Sequence, residues 1–318
     1  MKKREQEKFL ALARERFKTI QNEQAENRSN ALKNLRFVYN VEEGQWPEEI
    51  RKERQSDRRP CLTSNKLRKF VALEANQERD QRMAAGVRPV DDKGDPAQAQ
   101  IISGMIRQIE AASDAEVAYT QAGEKAIAGG FPGYIRIITK ETADSFDQEI
   151  YIQRIDNQFS VYMDRRKKYC FIREGMTRKE FESQYPKADA TSFDYMSQGE
   201  EYSLWWEQDK VFIAEYFYEE TYKKKIAEVA NVYTGESEII ELTEDLTPDL
   251  LAESGKQIIR TKTSEAIKIK WAKITAVDVL EEGEWAGDEI PIIEVSADEV
   301  NIAGKTYQRA LIEDGIDP

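Results

Sequence analysis

Gly129-Gly130-Phe131-Pro132-Gly133-Tyr134-Ile135-Arg136-Ile137-Ile138-Thr139-Lys140 is the stretch at which the hydrophobic period of the chain changes. Before it, apolar residues recur three and four apart. From Gly133 onward they alternate with polar ones, and β-branched and aromatic residues dominate. The glycine pair permits the left-handed backbone on which a helix ends. The stretch therefore separates a helical region, residues 1–130, from a β-rich region, residues 131–318. The fold class it predicts is α+β: an N-terminal helical layer followed by a mostly antiparallel β region with one inserted helix.

Working upstream, Ser113 restarts a helix that runs to the glycine pair. Asp95-Pro96 opens another as N-cap and first helical residue, with Ile101, Ile102, Met105, Ile106 and Ile109 on one face. Leu62-Thr63-Ser64-Asn65 offers capping side chains to a helix carrying Leu67, Phe70, Val71 and Leu73 and running to about Met83. A short helix is expected over Ile50 to Asp57, after Trp46-Pro47. Phe9, Leu12, Ala13, Phe17 and Ile20 form one amphipathic helix and Leu32, Leu35, Val38 and Tyr39 a second, on either side of the polar stretch QNEQAENRSN.

Working downstream, GYIRIITK, EIYIQRI and FSVYMD read as strands separated by the turn-like SFDQ and DNQ. The capping box Thr177-Arg178-Lys179-Glu180 starts the inserted helix, which ends at Tyr185-Pro186. Strands resume with VFIAEYFYEE, with Tyr222 to Val232, with IKIKWAKI and TAVDVL, with IPIIEV and with a last segment around Lys305 to Arg309. The acidic segment 236–256 reads as an insertion or loop, with a short helix at most near Pro248-Asp249-Leu250-Leu251. There is no repeat of fixed period and no Gly/Ser-rich or Pro-rich linker.

Composition narrows the function. The 318 residues hold enough apolar and aromatic side chains for a sizeable core. No apolar run approaches the roughly 18 residues of a spanning helix, and MKKREQEKFLALARERF lacks a signal peptide's apolar segment, so no membrane partner is expected and the chain should stay in the cytoplasm of the cell that makes it. Histidine is missing, which removes the usual proton shuttle and the commonest transition-metal ligand. Cys61 and Cys170 have no CxxC or metal-site neighbourhood and read as free thiols. Neither a cofactor nor a metal is expected. Net charge is −13, yet residues 1–82 carry 20 Lys/Arg against 14 Asp/Glu, or +6, leaving −19 for the rest. From Ala190 to Gly255 there are 16 acidic and 4 basic residues, which repel a phosphate backbone and exclude tight, sequence-specific DNA binding there.

Candidate constellations are few. Gly304-Lys305-Thr306 ends like a phosphate loop, but Glu299 stands where that loop needs glycine, so it reads as a strand-turn-strand. Acidic pairs such as Asp91-Asp92 and Glu281-Glu282 resemble a two-carboxylate hydrolase only by residue type; with 60 Asp and Glu they arise by chance. The run Arg165-Arg166-Lys167-Lys168, flanked by Tyr162 and Tyr169, reads as a solvated turn or as a contact to phosphates or to a neighbouring subunit's acids. Trp205-Trp206, among acidic residues, reads as core or as an anchor at a subunit interface. No catalytic residue is named, and an enzyme is not expected.

Several segments, taken in order, resemble one known family. They are Arg59-Pro60-Cys61-Leu62-Thr63-Ser64-Asn65-Lys66-Leu67 with Asn76, Arg79 and Arg82; Val87-Arg88-Pro89-Val90; Ala99 to Ile109 with Tyr119; the glycine turn with GYIRI; SFDQEI at Ser145–Ile150; Asp156-Asn157-Gln158-Phe159-Ser160-Val161-Tyr162-Met163-Asp164; Phe181–Pro186; Trp271 to Ile274; and Glu284–Ile292. From Trp46 onward they resemble the portal (head-to-tail connector) proteins of short-tailed, podovirus-type bacteriophages, in the N-terminal wing portion. Gln81 and Met83 depart from the family's usual Asn and Pro, and Gln158 from its usual Pro.

The resemblance implies a non-enzymatic structural subunit of a homo-oligomeric ring of twelve at one capsid vertex, through which double-stranded DNA passes without sequence-specific contact. It implies capsid protein, a packaging motor (terminase) and tail adaptor proteins as partners, a place in the virion, and assembly in the host cytoplasm. The chain stops at Asp317-Pro318, about where the family's channel-lining helices begin, so the stem, clip and barrel portions are expected to be absent. A closed ring needs two different patches meeting head to tail, and the basic N-terminal face around Arg58 and Arg59 with the acidic body is one such pair. The alternative reading is another connector or assembly protein that shares the wing fold without lining the channel.

Overall fold

The computed structural model describes residues 3–41, 44–82, 84–90, 94–142, 147–188, 210–233, 235, 237–242, 250–251 and 254–313. Helices α1 (Lys3–Tyr39), α2 (Glu48–Ser56), α3 (Leu67–Gln81), α4 (Pro96–Ala112) and α5 (Ala115–Gly129) precede every strand, and α6 (Arg178–Gln184) interrupts an antiparallel β region. The α+β reading holds. Two compact units divide the chain. One holds the N-terminal residues to Leu10, Asp164–Cys170 and Glu174–Ile290; the other holds Ala11–Met163, Phe171–Arg173 and the chain from Pro291 onward.

In the second unit, β1 (Gly133–Glu141) is the central strand of a three-stranded antiparallel sheet. It lies between β2 (Gln148–Arg154) and β9 (Ile292–Val295), so a strand from near the end of the chain completes a hairpin from its middle. Helix α5 covers this sheet with small residues: Ala118 and Ala122 pack on Ile135, with Tyr119, Ile152 and Val295 around them. Gly130 caps α5 in the left-handed region, φ 79°, its N–H bonded to the Ala126 carbonyl at 2.8 Å. A second cluster joins Val38, Val71, Ala128, Ala310 and Ile312. The short strand β3 (Val161–Met163) is wholly buried, and the hairpin of β10 (Asp298–Ile302) and β11 (Lys305–Arg309) completes the unit.

Helix α1 corrects the sequence reading, for it is one helix and not two. The polar stretch QNEQAENRSN does not break it, because three of its side chains reach backbone carbonyls elsewhere in the unit. Gln24 Nε2 donates to the Met163 carbonyl (3.0 Å) and Asn27 Nδ2 to that of Thr306 (3.0 Å). Arg28 donates to those of Phe159 (2.8 Å) and Val161, with its guanidinium over Tyr162. Polarity here marks a part-buried hydrogen-bonding face, centred on the buried Arg28, and not a loop.

Two other helices turn out differently from their patterns. On α4 the only fully buried residue is Ala99, and Ile101, Ile102 and Met105 are exposed. On α3 the buried pair is Val71 and Ala75, while Phe70 and Leu73 face solvent. Capping follows the sequence: Asp95 accepts from Ala97 N (2.8 Å), and Thr177 and Glu180 form the full capping box. Asn65 is the one of its quartet that serves α3, accepting from Arg68 N at 3.3 Å. That helix ends at Gln81; Met83 lies outside the described residues.

The first unit is built on a long ribbon. Strand β5 (Lys210–Asn231) pairs with β7 (Lys256–Ile274) from Ala214↔Ile274 to Asn231↔Lys256, with one bulge at Glu228/Val229. The expected strands VFIAEYFYEE and Tyr222–Val232 are therefore one strand. Strand β4 (Tyr169–Thr177) lies beside β5, β8 (Val279–Trp285) pairs with β7 from Ile269 to Ile274, and β6 (Ser237–Glu241) pairs with β5. Strand β6 falls in the segment read as a loop; SEIIE is too short and too acidic to stand out alone, and pairing with β5 creates it. One core cluster of this unit is Phe181, Val211 and Ile213, a second is Ala227, Val229 and Leu251, and Phe9 of α1 packs on Tyr216 and Tyr218.

Candidate functional site

The basic run occupies the turn between β3 and β4. Asp164 organises it: its Oδ2 accepts from Arg166 N (3.1 Å) and Lys168 N (3.3 Å), and its carbonyl accepts from Lys167 N (2.8 Å). Lys167 takes the left-handed conformation, φ 55°. All four side chains, Arg165, Arg166, Lys167 and Lys168, are exposed. Tyr162 does not join them. It is buried, with Phe17 packed at 4.6 Å and the Arg28 guanidinium 3.9 Å above its ring, so it is unavailable for stacking on a base. What remains is a compact cationic knuckle suited to phosphate or carboxylate oxygens through charge alone.

Arg58 and Arg59 occupy a second turn, after α2. Arg58 is left-handed, φ 54°; Arg58 N donates to the Gln55 carbonyl (3.2 Å) and Arg59 N to that of Arg54 (2.8 Å). Arg54 holds the segment in place, donating to the Pro60 carbonyl (2.9 Å) and lying over the Trp46 ring, whose Nε1 donates to Thr63 Oγ1 (2.9 Å). Helix α2 buries none of its residues. Both arginine side chains are exposed; the Arg59–Asp57 pair, 4.0 Å apart and open to water, adds little stability. Trp205 and Trp206 lie outside the described residues.

No group of three or more His, Cys, Asp or Glu among the described residues is placed to hold a metal ion. Glu281 accepts from the Tyr185 hydroxyl (2.8 Å) and lies 3.9 Å from Lys273, and Asp91 and Asp92 lie outside the described residues. Gly304-Lys305-Thr306 is the strand-turn-strand read from sequence: Ala303 and Gly304, both at positive φ, close the β10–β11 hairpin, and Lys305 pairs with Glu26. No helix among the described residues is long and apolar enough to cross a membrane.

A model of the phage P22-like portal protein family matches residues 14–318. This chain belongs to the phage P22-like portal protein family. That is a family of structural proteins and not of enzymes, and it makes the chain a phage protein and a virion component. No curated protein matches the chain. In this portal chain the family-like segments act as structural pins. Asn65 Nδ2 donates to the Val38 carbonyl (2.6 Å), Asn157 Oδ1 accepts from Phe159 N (3.0 Å), and the carbonyls of Phe159 and Val161 receive Arg28.

Sequence reasoning missed the exposed apolar positions, namely Phe70 and Leu73 on α3, Ile101, Ile102 and Met105 on α4, and Val232, Tyr233 and Ile239 by the end of the β5–β7 ribbon. For the α3 and α4 residues the pattern itself misleads, because an apolar stripe at helical spacing looks the same whether it meets the chain's own core or another protein.

Proposed function

We propose that this chain is a structural subunit of the phage portal ring, set at a capsid vertex, where it forms part of the passage for DNA packaging and ejection and part of the platform for tail attachment. The ring contains twelve copies, and its partners are capsid protein, the terminase motor and tail adaptor proteins; assembly takes place in the host cytoplasm. Residues 1–130 and 131–318 are the helical and β-rich parts of the portal wing. The observation that carries this reading is the family match over residues 14–318.

Physical features support it. The net charge of −13 and the acidic stretch 190–255 suit a surface past which DNA moves without being gripped. The exposed knuckle Arg165–Lys168 offers intermittent phosphate contact or a salt-sensitive contact to a neighbour's acids, and Arg58, Arg59, Trp205 and Trp206 are interface candidates. Negative-stain electron microscopy of the purified chain tests the reading: end-on views should show rings with rotational symmetry. A chain that stays monomeric at every concentration and ionic strength sinks it.

A further inference from the structure

Side chains cover several sheet edges in the second unit. The Val161 and Met163 carbonyls of β3 take Arg28 and Gln24, the Ile152 N–H of β2 donates to Ser113 Oγ (3.0 Å), and the Thr306 carbonyl of β11 takes Asn27. Strand β7, in the first unit, has one edge bare. Strand β8 pairs with it only from Ile269 to Ile274, and from Lys268 back to Lys256 its one partner among the described residues is β5. The Lys225 carbonyl of β5 accepts from Leu242 N (2.8 Å), on the side away from β7, so the pair Lys225↔Thr263 shares no hydrogen bond and the backbone of Thr263 points outward. By the same alternation so do those of Thr261 and Glu265, and all three residues are exposed. The N–H and C=O groups along this edge are a template for one more strand.

Strand β10 offers the converse edge, and each of its five residues is exposed. The two-residue turn Ala303-Gly304 makes Ile302↔Lys305 a hydrogen-bonded pair with β11, which leaves the backbones of Glu299 and Asn301 pointing outward. Asp298 and Glu299 are in no ion pair among the described residues; Arg309, opposite Asp298, pairs with Glu313 at 3.6 Å. Beside the bare edge of β7 stand Lys223, Lys225 and Lys262, exposed and likewise in no ion pair among the described residues, against one such acid, Glu265. The other acidic strands, β6 and β8, have most of their carboxylates held by lysines. An acidic strand therefore fits the lysine-flanked edge, and a closed ring needs two unlike patches on every copy.

We propose that the bare edge of β7 receives β10 of the neighbouring subunit as an added strand, so that every copy donates one acidic strand and accepts another beside its own lysines. This pairing rests on the ring reading above and names the two edges that meet. Thr263→Pro tests it in the full chain: proline removes an N–H that points outward and is tolerated on an edge strand, yet it blocks strand addition. The concentration needed for half-assembly should rise by about tenfold or more through loss of hydrogen bonds across the interface, while Thr263→Val, which keeps the N–H, should assemble like wild type. Circular dichroism and melting of the unassembled chain should be the same for both variants.

Cross-linking tests the partner strand without the proline. In chains carrying Cys61→Ser, Cys170 being buried, one preparation has Thr263→Cys, another Glu299→Cys, and a control Leu73→Cys. Mixed, assembled and treated with a short bismaleimide, the first two should give a cross-linked heterodimer in the ring fraction, and Thr263→Cys with Leu73→Cys should not. A Thr263→Cys homodimer formed in its place means that β7 pairs with β7 and overturns the choice of β10. Proline-variant rings that form at the wild-type concentration, with no heterodimer above control, overturn the edge's role and leave the ring reading intact. A wild-type chain that never assembles overturns both.

Discussion

Arg28 is only 3% exposed, yet it sits inside the second unit as a fixed three-way staple. It donates to Gln24 Oε1 (3.0 Å) and to two backbone carbonyls, under ring contacts with Tyr162 and Phe131. Replacing it with leucine leaves the Phe159 and Val161 carbonyls without this donor, and the expected loss, read by chemical denaturation, is about 2–4 kcal/mol. Gln158 has the opposite character. It is 3% exposed, and neither its Nε2 nor its Oε1 has a hydrogen-bond partner among the described residues. It opens a short 3-10 turn (Gln158–Ser160) behind the Asn157 cap, a position that suits proline. Gln158→Pro is expected to raise stability by about 1 kcal/mol, measured as a higher melting temperature. Tyr185 supplies a pH signature. Burial first, and then its hydrogen bond to Glu281, push its hydroxyl from the ordinary 10.0 up to about 12. A raised pKa gives stability that is whole below pH 10 and is lost as pH climbs through about 12. Wild type should therefore lose stability relative to Tyr185→Phe over that window, and parallel curves would refute the linkage.

At the scale of elements, the close approach of α5 to β1 decides how the helical layer meets its sheet. A Cβ on Gly133 would come within 2.1 Å of the Ala122 carbonyl oxygen, so only glycine lets the two backbones touch there. Gly133→Ala is expected to destabilise by about 3 kcal/mol through forced separation of helix and strand, seen as a lower denaturation midpoint with the slope unchanged. Much of the element order was legible in the sequence. The glycine pair ending α5, the Asp95-Pro96 start of α4 and the Thr177–Glu180 box all rest on interactions within a few residues, which a sequence displays directly. The continuity of α1 and of β5 was not legible, because a distant carbonyl or a partner strand overrides the local polarity. Strand β6 exists only as a pairing with β5.

Across the whole molecule, charge is uneven, +6 over residues 1–82 and −19 over the rest, which makes salt dependence a test of the proposed ring. Arg58→Glu with Arg59→Glu is expected to weaken ring formation at low salt, and the gap from wild type should close as ionic strength rises to about 0.5 M, because exposed charges are screened beyond a few ångströms there. Sedimentation across a salt series measures it; equal assembly at every salt concentration removes these arginines from the interface. The candidate site was legible in part. Arg165–Lys168 and Arg58–Arg59 stand out as charge runs and do lie exposed on turns, whereas Tyr162, which looked like their aromatic neighbour, belongs to the core. Period, caps and charge distribution, being properties of neighbours along the chain, settled from sequence alone that helices come first, that antiparallel strands follow Gly133, and that the two ends of the chain differ in charge. Which apolar stripes close a core and which stay open was decided only by tertiary structure. Phe70 and Val71, adjacent and equally apolar, lie one in water and one buried, because burial depends on what another element places opposite a side chain.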